Sequence, residues 1–424
     1  MKEEFIHFLW KYRLFQSQKL KTTEGKSLQI IQPGWHNMDS GPDFSAARIE
    51  IDGTTWAGNV EIHLKSSDWY KHGHQHSEDY HNIILHVVMM HDEEIKDKNG
   101  SPIPVFEVQS CFDPSLLHQY ENLLNAKTWI PCERIINQAS ELIIQAWLSR
   151  LLVERLENKS KEILQFLAYF ENNWEQTLYY FLARNFGFKT NASPFALLAQ
   201  KTPYLILGKH SDDLTQTEAL LFGQAGMLAN NFKDAYPSLL KKEYEFLRHK
   251  YQLTPIDKSL WKFSKLRPAN FPTLRVAQFA GLQHRSQSLF ASLMPAKTFA
   301  EVKNIFNIQC SPYWDSHYQF DKVSVKRIKK LGDTAVANII INTLVPVKFL
   351  YGKENMKAHY QDEAIALLSE LPPERNAITD RWAQLGIKAT SAAESQALLE
   401  LKKYYCTPKK CLNCAIGLDL IRKS

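Results

Sequence analysis

The chain has 424 residues and a mass of 49.1 kDa, with 44% hydrophobic and 23% charged residues and a mean hydropathy of −0.34. At roughly 100–200 residues per domain, this predicts two or three domains with ordinary cores and excludes a wholly disordered chain. Gly 16 and Pro 18 exclude a collagenous or glycine-rich chain, and 51 Lys and Arg against 45 Asp and Glu leave a mildly basic net charge of +6.

No segment reaches the roughly 20 unbroken apolar residues of a membrane span. The best candidate, 336–350, is interrupted by Asn338, Asn342, Pro346 and Lys348. The first residues, MKEEFIHFLW, put glutamates where a signal peptide carries positive charge. The expectation is therefore a soluble, cytoplasmic protein without a membrane partner. Cys111, Cys132 and Cys310 are scattered, whereas Cys406, Cys411 and Cys414 are clustered. Clustered cysteines in a long intracellular chain point to metal binding rather than to disulfides.

Charge and periodicity both change near residue 112. Residues 1–112 carry 11 basic and 16 acidic groups (11 − 16 = −5), and residues 113–424 carry 40 and 29 (40 − 29 = +11). Phe5, Leu9, Trp10 and Leu14 mark an apolar helical face. Strands follow. Residues 28–32 form an apolar run, and 48–51 and 54–56 flank the hairpin signal Asp52-Gly53. From Val60 to Lys65 the pattern alternates, with Glu61, His63 and Lys65 on one face. The run 83–88 reads as a buried central strand and 105–108 as another, with Asn99-Gly100 a turn before it. Ser77 is a candidate N-cap for a short helix at 77–80. Beyond Asp113 the pattern is helical, with Asp113-Pro114, Ser193-Pro194 and Phe271-Pro272 as helix starts and the longest periodic run at 141–166. The predicted class is α+β: an N-terminal mixed sheet domain (1–112), a larger, mostly helical basic domain (113–405), and a cysteine tail (406–424) packed on the helical domain.

The densest polar chemistry lies between Gly34 and His91. A metal-dependent phosphodiesterase needs two carboxylates at one Mg²⁺, with a cation or base beside them to orient water. Asp43 precedes one strand of the hairpin and Glu61 lies on the next, with His63 and Lys65 projecting from the same face as Glu61. Pro42-Asp43, the hairpin, and Glu61 followed by basic residues resemble the core of the PD-(D/E)xK, or restriction-endonuclease-like, nucleases. So does the order helix, three strands, helix, strand over residues 1–110. The resemblance implies that Asp43 and Glu61 hold the metal. It also implies a catalytic lysine two positions after Glu61, where this chain has His63, with Lys65 one pleat further on. Asp68 is a candidate outer-shell or second-metal group. The alternative is that Glu61, His63 and Lys65 form a solvated strand face. His72, His74 and His76, in HGHQH, have spacings that suit a transition metal or an ordinary solvated loop. His86, inside an apolar run, reads as a core histidine.

The helical region interleaves cations with aromatics. Lys265, Arg267 and Arg275 lie near Trp261, Phe263 and Phe271, and Trp314 lies in an aromatic cluster upstream of Lys326, Arg327, Lys329 and Lys330. Cations neutralise phosphates and aromatics stack on unpaired bases, so Lys265, Arg267, Arg275 and Trp314 are the candidate nucleic-acid contacts. The same residues also suit a core with solvated helix faces. Three thiolates within nine residues supply three corners of a Zn²⁺ or iron–sulfur site, with Cys132 the first candidate for the fourth and Cys310, Cys111 or a histidine as alternatives. In outline this layout resembles nucleases of the same core that clasp a cluster with one distant cysteine and three near the C-terminus, although the spacing differs. The whole chain resembles an uncharacterised bacterial family, mostly from Bacteroidota, through 41–44, 58–69, 266–280, 313–320 and 406–417. The leading expectation is a metal-dependent nuclease, or a degenerate relative of one. Its rivals are a non-catalytic nucleic-acid-binding scaffold and a histidine-based metal hydrolase of a small molecule.

Overall fold

The computed structural model describes residues 2–423 except 17, 19, 38 and 287. The chain forms two compact units, residues 1–148 with 401–424, and residues 149–400. The boundaries expected at 112/113 and 405/406 lie elsewhere in this division: residues 113–148 and the cysteine tail both count with the sheet.

The first unit opens with helix α1 (Glu3–Tyr12), which buries Phe5, Ile6, Phe8, Leu9 and Trp10. Two glutamates in its first turn suit the positive end of the helix dipole, and Arg13 ends it in a left-handed conformation at φ 52°. The sheet contains β1 (Leu28–Gln32), β2 (Trp35–His36), β3 (Phe44–Ile51), β4 (Thr54–Lys65), β5 (Ile83–Met90) and β6 (Val105–Glu107). Its order is β1-β3-β4-β5-β6, with β2 also paired to β3. The pairs β1/β3 and β3/β4 are antiparallel, while β4/β5 and β5/β6 are parallel. The hairpin forms at Asp52-Gly53, both at positive φ (46° and 76°), with Ile51 opposite Thr54. As its apolar run predicts, β5 is buried and lies between two neighbours.

Between β4 and β5 the chain folds into a single turn α2 (Asp68–Lys71) and two short 3₁₀ turns, His74–His76 and Glu78–Tyr80. Ser77 precedes the last of these, but its side chain makes no capping bond. After β6 come helix α3 (Pro114–Asn125), whose first turn is capped by the Asp113 carboxylate on the Ser115 N–H, and helix α4 (Glu141–Tyr169), which counts with this unit through Leu148.

The second unit is helical apart from the small two-stranded pair His317–Gln319 and Lys322–Val323. The expected start at Ser193-Pro194 falls within the helical stretch Phe188–Lys201: the backbone leaves helical geometry at Asn191 (φ −117°, ψ 20°), and a new helical segment begins after it with Pro194 in its first turn. In that first turn the backbone N–H groups have no intrahelical acceptor, so the missing N–H of Pro194 costs no helical hydrogen bond. The run around 336–350 also exceeds expectation. It belongs to a helical stretch Asp333–Glu354, 22 residues long, which by length and composition alone would cross a membrane; 72% of its most apolar window is buried inside the protein. Its polar interruptions are matched internally, because Lys348 pairs with Glu363 at 2.8 Å and Asn342 Oδ1 accepts from Lys159 at 3.0 Å.

Candidate metal centre

β4 alternates as its sequence dictates, but the face carrying Glu61 and His63 is covered rather than solvated. Glu61 is 5% exposed and His63 is 2% exposed. The cover is the turn after β4. Trp69 is fully buried against Val88, Ile95, Ile103 and Val105, and its indole donates to the Lys96 carbonyl at 3.2 Å. That anchor brings the HGHQH segment back over the strand, with His74 stacked on Tyr80 at 3.9 Å between ring centroids.

The result is a cluster of three imidazoles. Metal-ligating nitrogens of His63, His72 and His74 all lie within 4.8 Å of one another. His63 Nε2 is 3.0 Å from His72 Nδ1 and 3.6 Å from Glu61 Oε1, and His74 Nε2 is 3.3 Å from the same oxygen. Ligands bound at about 2.1 Å around a tetrahedral ion stand about 3.4 Å apart, so these spacings fit a Zn²⁺-like site. The donor set also fits, since imidazoles with one carboxylate suit transition ions better than Mg²⁺. Behind the cluster, His63 Nδ1 lies 2.8 Å from His86 Nε2. With the proton of His63 on Nδ1, that contact leaves its Nε2 lone pair facing His72 and Glu61. Burial, then the charges of His74 and His72, push the His63 pKa down to about 4, so it is neutral at pH 7. Burial drives His86 the same way, well below its ordinary value.

Acidic groups adjoin the imidazoles. Asp43, just before β3, accepts the Ile62 N–H at 2.9 Å, and its own N–H donates to Glu61 Oε2 at 3.1 Å. Helix α1 adds His7, whose Nε2 is 3.3 Å from Asp43 Oδ2. Burial raises the pKa of Glu61, the Asp43 charge adds to this, and His74 opposes it. Glu3 is pushed to about 7 by burial, then by Asp43, with His7 opposing. For His7 burial works against protonation, but Asp43, Glu3 and Glu61 together outweigh it and its pKa rises.

Of the sequence-predicted residues, the structure brings Asp43, Glu61 and His63 together. Lys65 lies at the exposed end of β4, with its Nζ 3.9 Å from Asp92. Asp68 accepts from the Lys65 N–H (3.1 Å) and pairs with Lys71 (2.7 Å), so it serves the turn. His72 and His74, flagged only as a loop cluster, join the site. Glu3 and His7 were not anticipated; their spacing of four places them on one helical face, but their partners lie far along the chain.

The cysteine cluster sits in the same unit. Cys132, Cys406, Cys411 and Cys414 are all buried. Burial raises the pKa of each, to about 12 for Cys132 and Cys411, and the charge of Cys414 adds to the shift of the other three. The N–H groups of Gly417 and Ile416 and the Trp147 indole favour the Cys414 thiolate, while Lys402 and Lys409 act likewise on Cys406 and Cys411. Cys310 belongs to the second unit.

The nucleic-acid candidates separate. Lys265 and Arg267 are exposed. Arg275 is buried, and Trp314 is fully buried, stacked on Phe222 at 5.2 Å with its indole on Glu218 at 3.2 Å. Trp314 therefore offers no face to a base, which corrects its assignment as a stacking residue.

Residues 3–377 match the family described as "Protein of unknown function (DUF2851)". The chain belongs to the DUF2851 family. The matched span contains Glu3, His7, Asp43, Glu61 and the three clustered histidines; the C-terminal cysteines lie beyond it. No curated protein and no solved structure matches this DUF2851 chain.

Proposed function

We propose that this DUF2851 protein is a metal-dependent hydrolase of phosphodiester bonds in DNA or RNA, working with a transition ion on His63, His72 and His74 beside Glu61. The observation that carries this reading is the convergence of the three imidazoles on a buried glutamate. The phosphodiester part rests on the sheet. Three antiparallel strands followed by two parallel ones, with Asp43 entering β3 and Glu61 inside β4, agree with the resemblance to PD-(D/E)xK nucleases. The Mg²⁺ expected on Asp43 and Glu61 gives way to a softer ion, because histidine occupies the position of the lysine.

When bound, such an ion would polarise the phosphoryl group and lower the pKa of a water. The residues supply the rest. His86 holds the tautomer of His63, His7 and Asp43 balance the charge around Glu61, and Glu3, half-protonated near neutrality, can hold or release a proton. A second reading, a non-catalytic scaffold, is favoured by one feature. Asp43 and Glu61 each spend an oxygen on a backbone N–H, a use that ties β3 to β4 without chemistry.

The test is cleavage of single-stranded and duplex DNA and RNA with Mn²⁺, Co²⁺, Zn²⁺ or Mg²⁺. Glu61→Gln and His72→Ala should abolish cleavage in folded protein, and His72→Ala should also lower Co²⁺ binding. Wild-type protein that binds Co²⁺ but cleaves none of these with any ion supports the scaffold.

A further inference from the structure

The second unit contains a cavity of about 760 Å³ whose lining includes Arg267, Arg275, Arg327, Lys329 and Lys330 and, among the described residues, no carboxylate. It is built around Arg275, which is only 6% exposed. A guanidinium removed from water normally faces a carboxylate. Arg275 instead meets two neutral amides, Gln278 Oε1 at 3.0 Å and Asn270 Oδ1 at 2.6 Å, and its Nε has no hydrogen-bond partner among the described residues. Gln278 is fixed in turn by donating to the Lys329 carbonyl at 3.0 Å. Burial lowers the Arg275 pKa to about 10, which still leaves it charged at neutral pH.

The neighbouring groups are held just as firmly. Lys329 Nζ donates to the carbonyls of Trp314 (2.6 Å) and Asp315 (2.7 Å) and lies 4.4 Å from the centre of the Tyr318 ring. Arg327 donates to the Tyr318 hydroxyl at 3.0 Å from Nε. Arg267 and Lys330 are exposed. The cavity thus concentrates positive charge around a buried donor that the protein itself leaves unpaired. We propose that this cavity binds the phosphoryl group of a small phosphate ligand, either inorganic phosphate or a phosphate monoester. A singly charged carboxylate would leave most of the cations unbalanced, whereas a phosphoryl dianion matches several cations and the planar fork of a guanidinium. The Phe188 ring is already faced by Arg275 at 4.7 Å and the Tyr318 ring by Lys329, so recognition rests on the phosphate rather than on base stacking. The site lies within the second unit and stands whether or not the metal-centre reading holds.

The test is titration calorimetry on the full chain at low salt with inorganic phosphate, AMP and adenosine, and with a short oligothymidylate carrying or lacking a 5′-phosphate. AMP should bind and adenosine should not. Binding of phosphate alone would identify the free anion as sufficient, and tighter binding of AMP would identify the ester as the better ligand. The surface double variant Arg267→Gln/Lys330→Gln should weaken AMP by about tenfold or more, as the loss of charged hydrogen bonds does. Arg275→Lys, which keeps the charge but not the fork, should weaken it as well. Unchanged circular dichroism and melting temperature in the double variant keep the result interpretable if Arg275→Lys does not fold. The proposal is overturned by no heat from phosphate or AMP up to about 10 mM, or by unchanged affinity in the double variant. Equal binding of the two oligonucleotides, tighter than AMP, would also overturn it in favour of a track for nucleic-acid backbone.

Discussion

Trp69→Ala probes what brings the histidines together. The indole is fully buried, packs on Val88, Ile95, Ile103 and Val105, and lies 5.3 Å from His74 and 5.8 Å from His86 between ring centroids. Removing roughly 200 Å² of buried aromatic surface at about 25 cal/mol/Å² gives about 5 kcal/mol. Unfolded chains already bury part of this area, which brings the expectation to about 4 kcal/mol, within the range of large core truncations. Because the chain has two units, hydrogen exchange read peptide by peptide is a better assay than one melting curve. Amides of β5 whose exchange requires unfolding of the first unit should exchange about a thousandfold faster, while the second unit stays protected. Co²⁺ affinity should fall by about ten- to a hundredfold, as for other residues that orient ligands without binding the ion. A stability loss under about 1 kcal/mol, or unchanged exchange in β5 together with unchanged Co²⁺ binding, would refute the idea that Trp69 positions the cluster.

Other perturbations have equally definite outcomes. Cys132 and Cys406 are about 270 positions apart, so an ion shared by the four thiols would close a long loop worth about 5 kcal/mol. Cys411→Ser should therefore lower both bound zinc or iron, by elemental analysis, and the melting temperature; well-folded wild-type protein without either metal would remove the clasp. Burial raises Glu218 from 4.5 to about 7, so its contribution to stability is complete below about pH 4.5 and is lost as the pH rises through 7. Glu218→Gln should flatten that slope, by about 3 kcal/mol across the window, in urea titrations at pH 5 and 8; parallel slopes in the two proteins would sink the assignment. In Gly223→Ala the new Cβ would meet the Tyr244 ring 2.1 Å away, where the helices Leu214–Gln224 and Ala235–Tyr251 approach. The urea midpoint should fall by the equivalent of about 1–3 kcal/mol, and an unchanged midpoint would mean that the two helices can part freely.

Local chemistry was legible in the sequence because its causes are local. Asp52-Gly53 makes its hairpin because both residues tolerate positive φ, Asp113 caps its helix two residues on, and the alternation from Val60 to Lys65 puts Glu61 and His63 on one face of a strand. The α+β order follows from the same periodicities. Where a local rule met tertiary packing, packing won. Asn342 and Lys348 interrupt an apolar run in sequence but not in the helix, because Lys159 and Glu363 answer their polar groups. The burial of Trp314, and the exposure of Arg267 beside the burial of Arg275, could not be read from a stretch in which aromatics and cations simply alternate.

The candidate site divides along the same line. Its strand residues and the spacing of HGHQH are sequence properties. That His72 and His74 fold back onto His63, and not into solvent, depends on Trp69 finding a pocket built by β5, β6 and the connection between them. Glu3 and His7 reach Asp43 only because α1 carries them there, across a separation that no short-range pattern encodes. For the cysteines, three closely spaced thiols announce themselves in the sequence, whereas the burial of Cys132 and its place in the same unit are properties of the fold. Dihedral preference, capping and alternation act over a few residues and can be read in one dimension. Burial, charge coupling and ligand convergence depend on what the rest of the chain places alongside, and only the tertiary structure decides them.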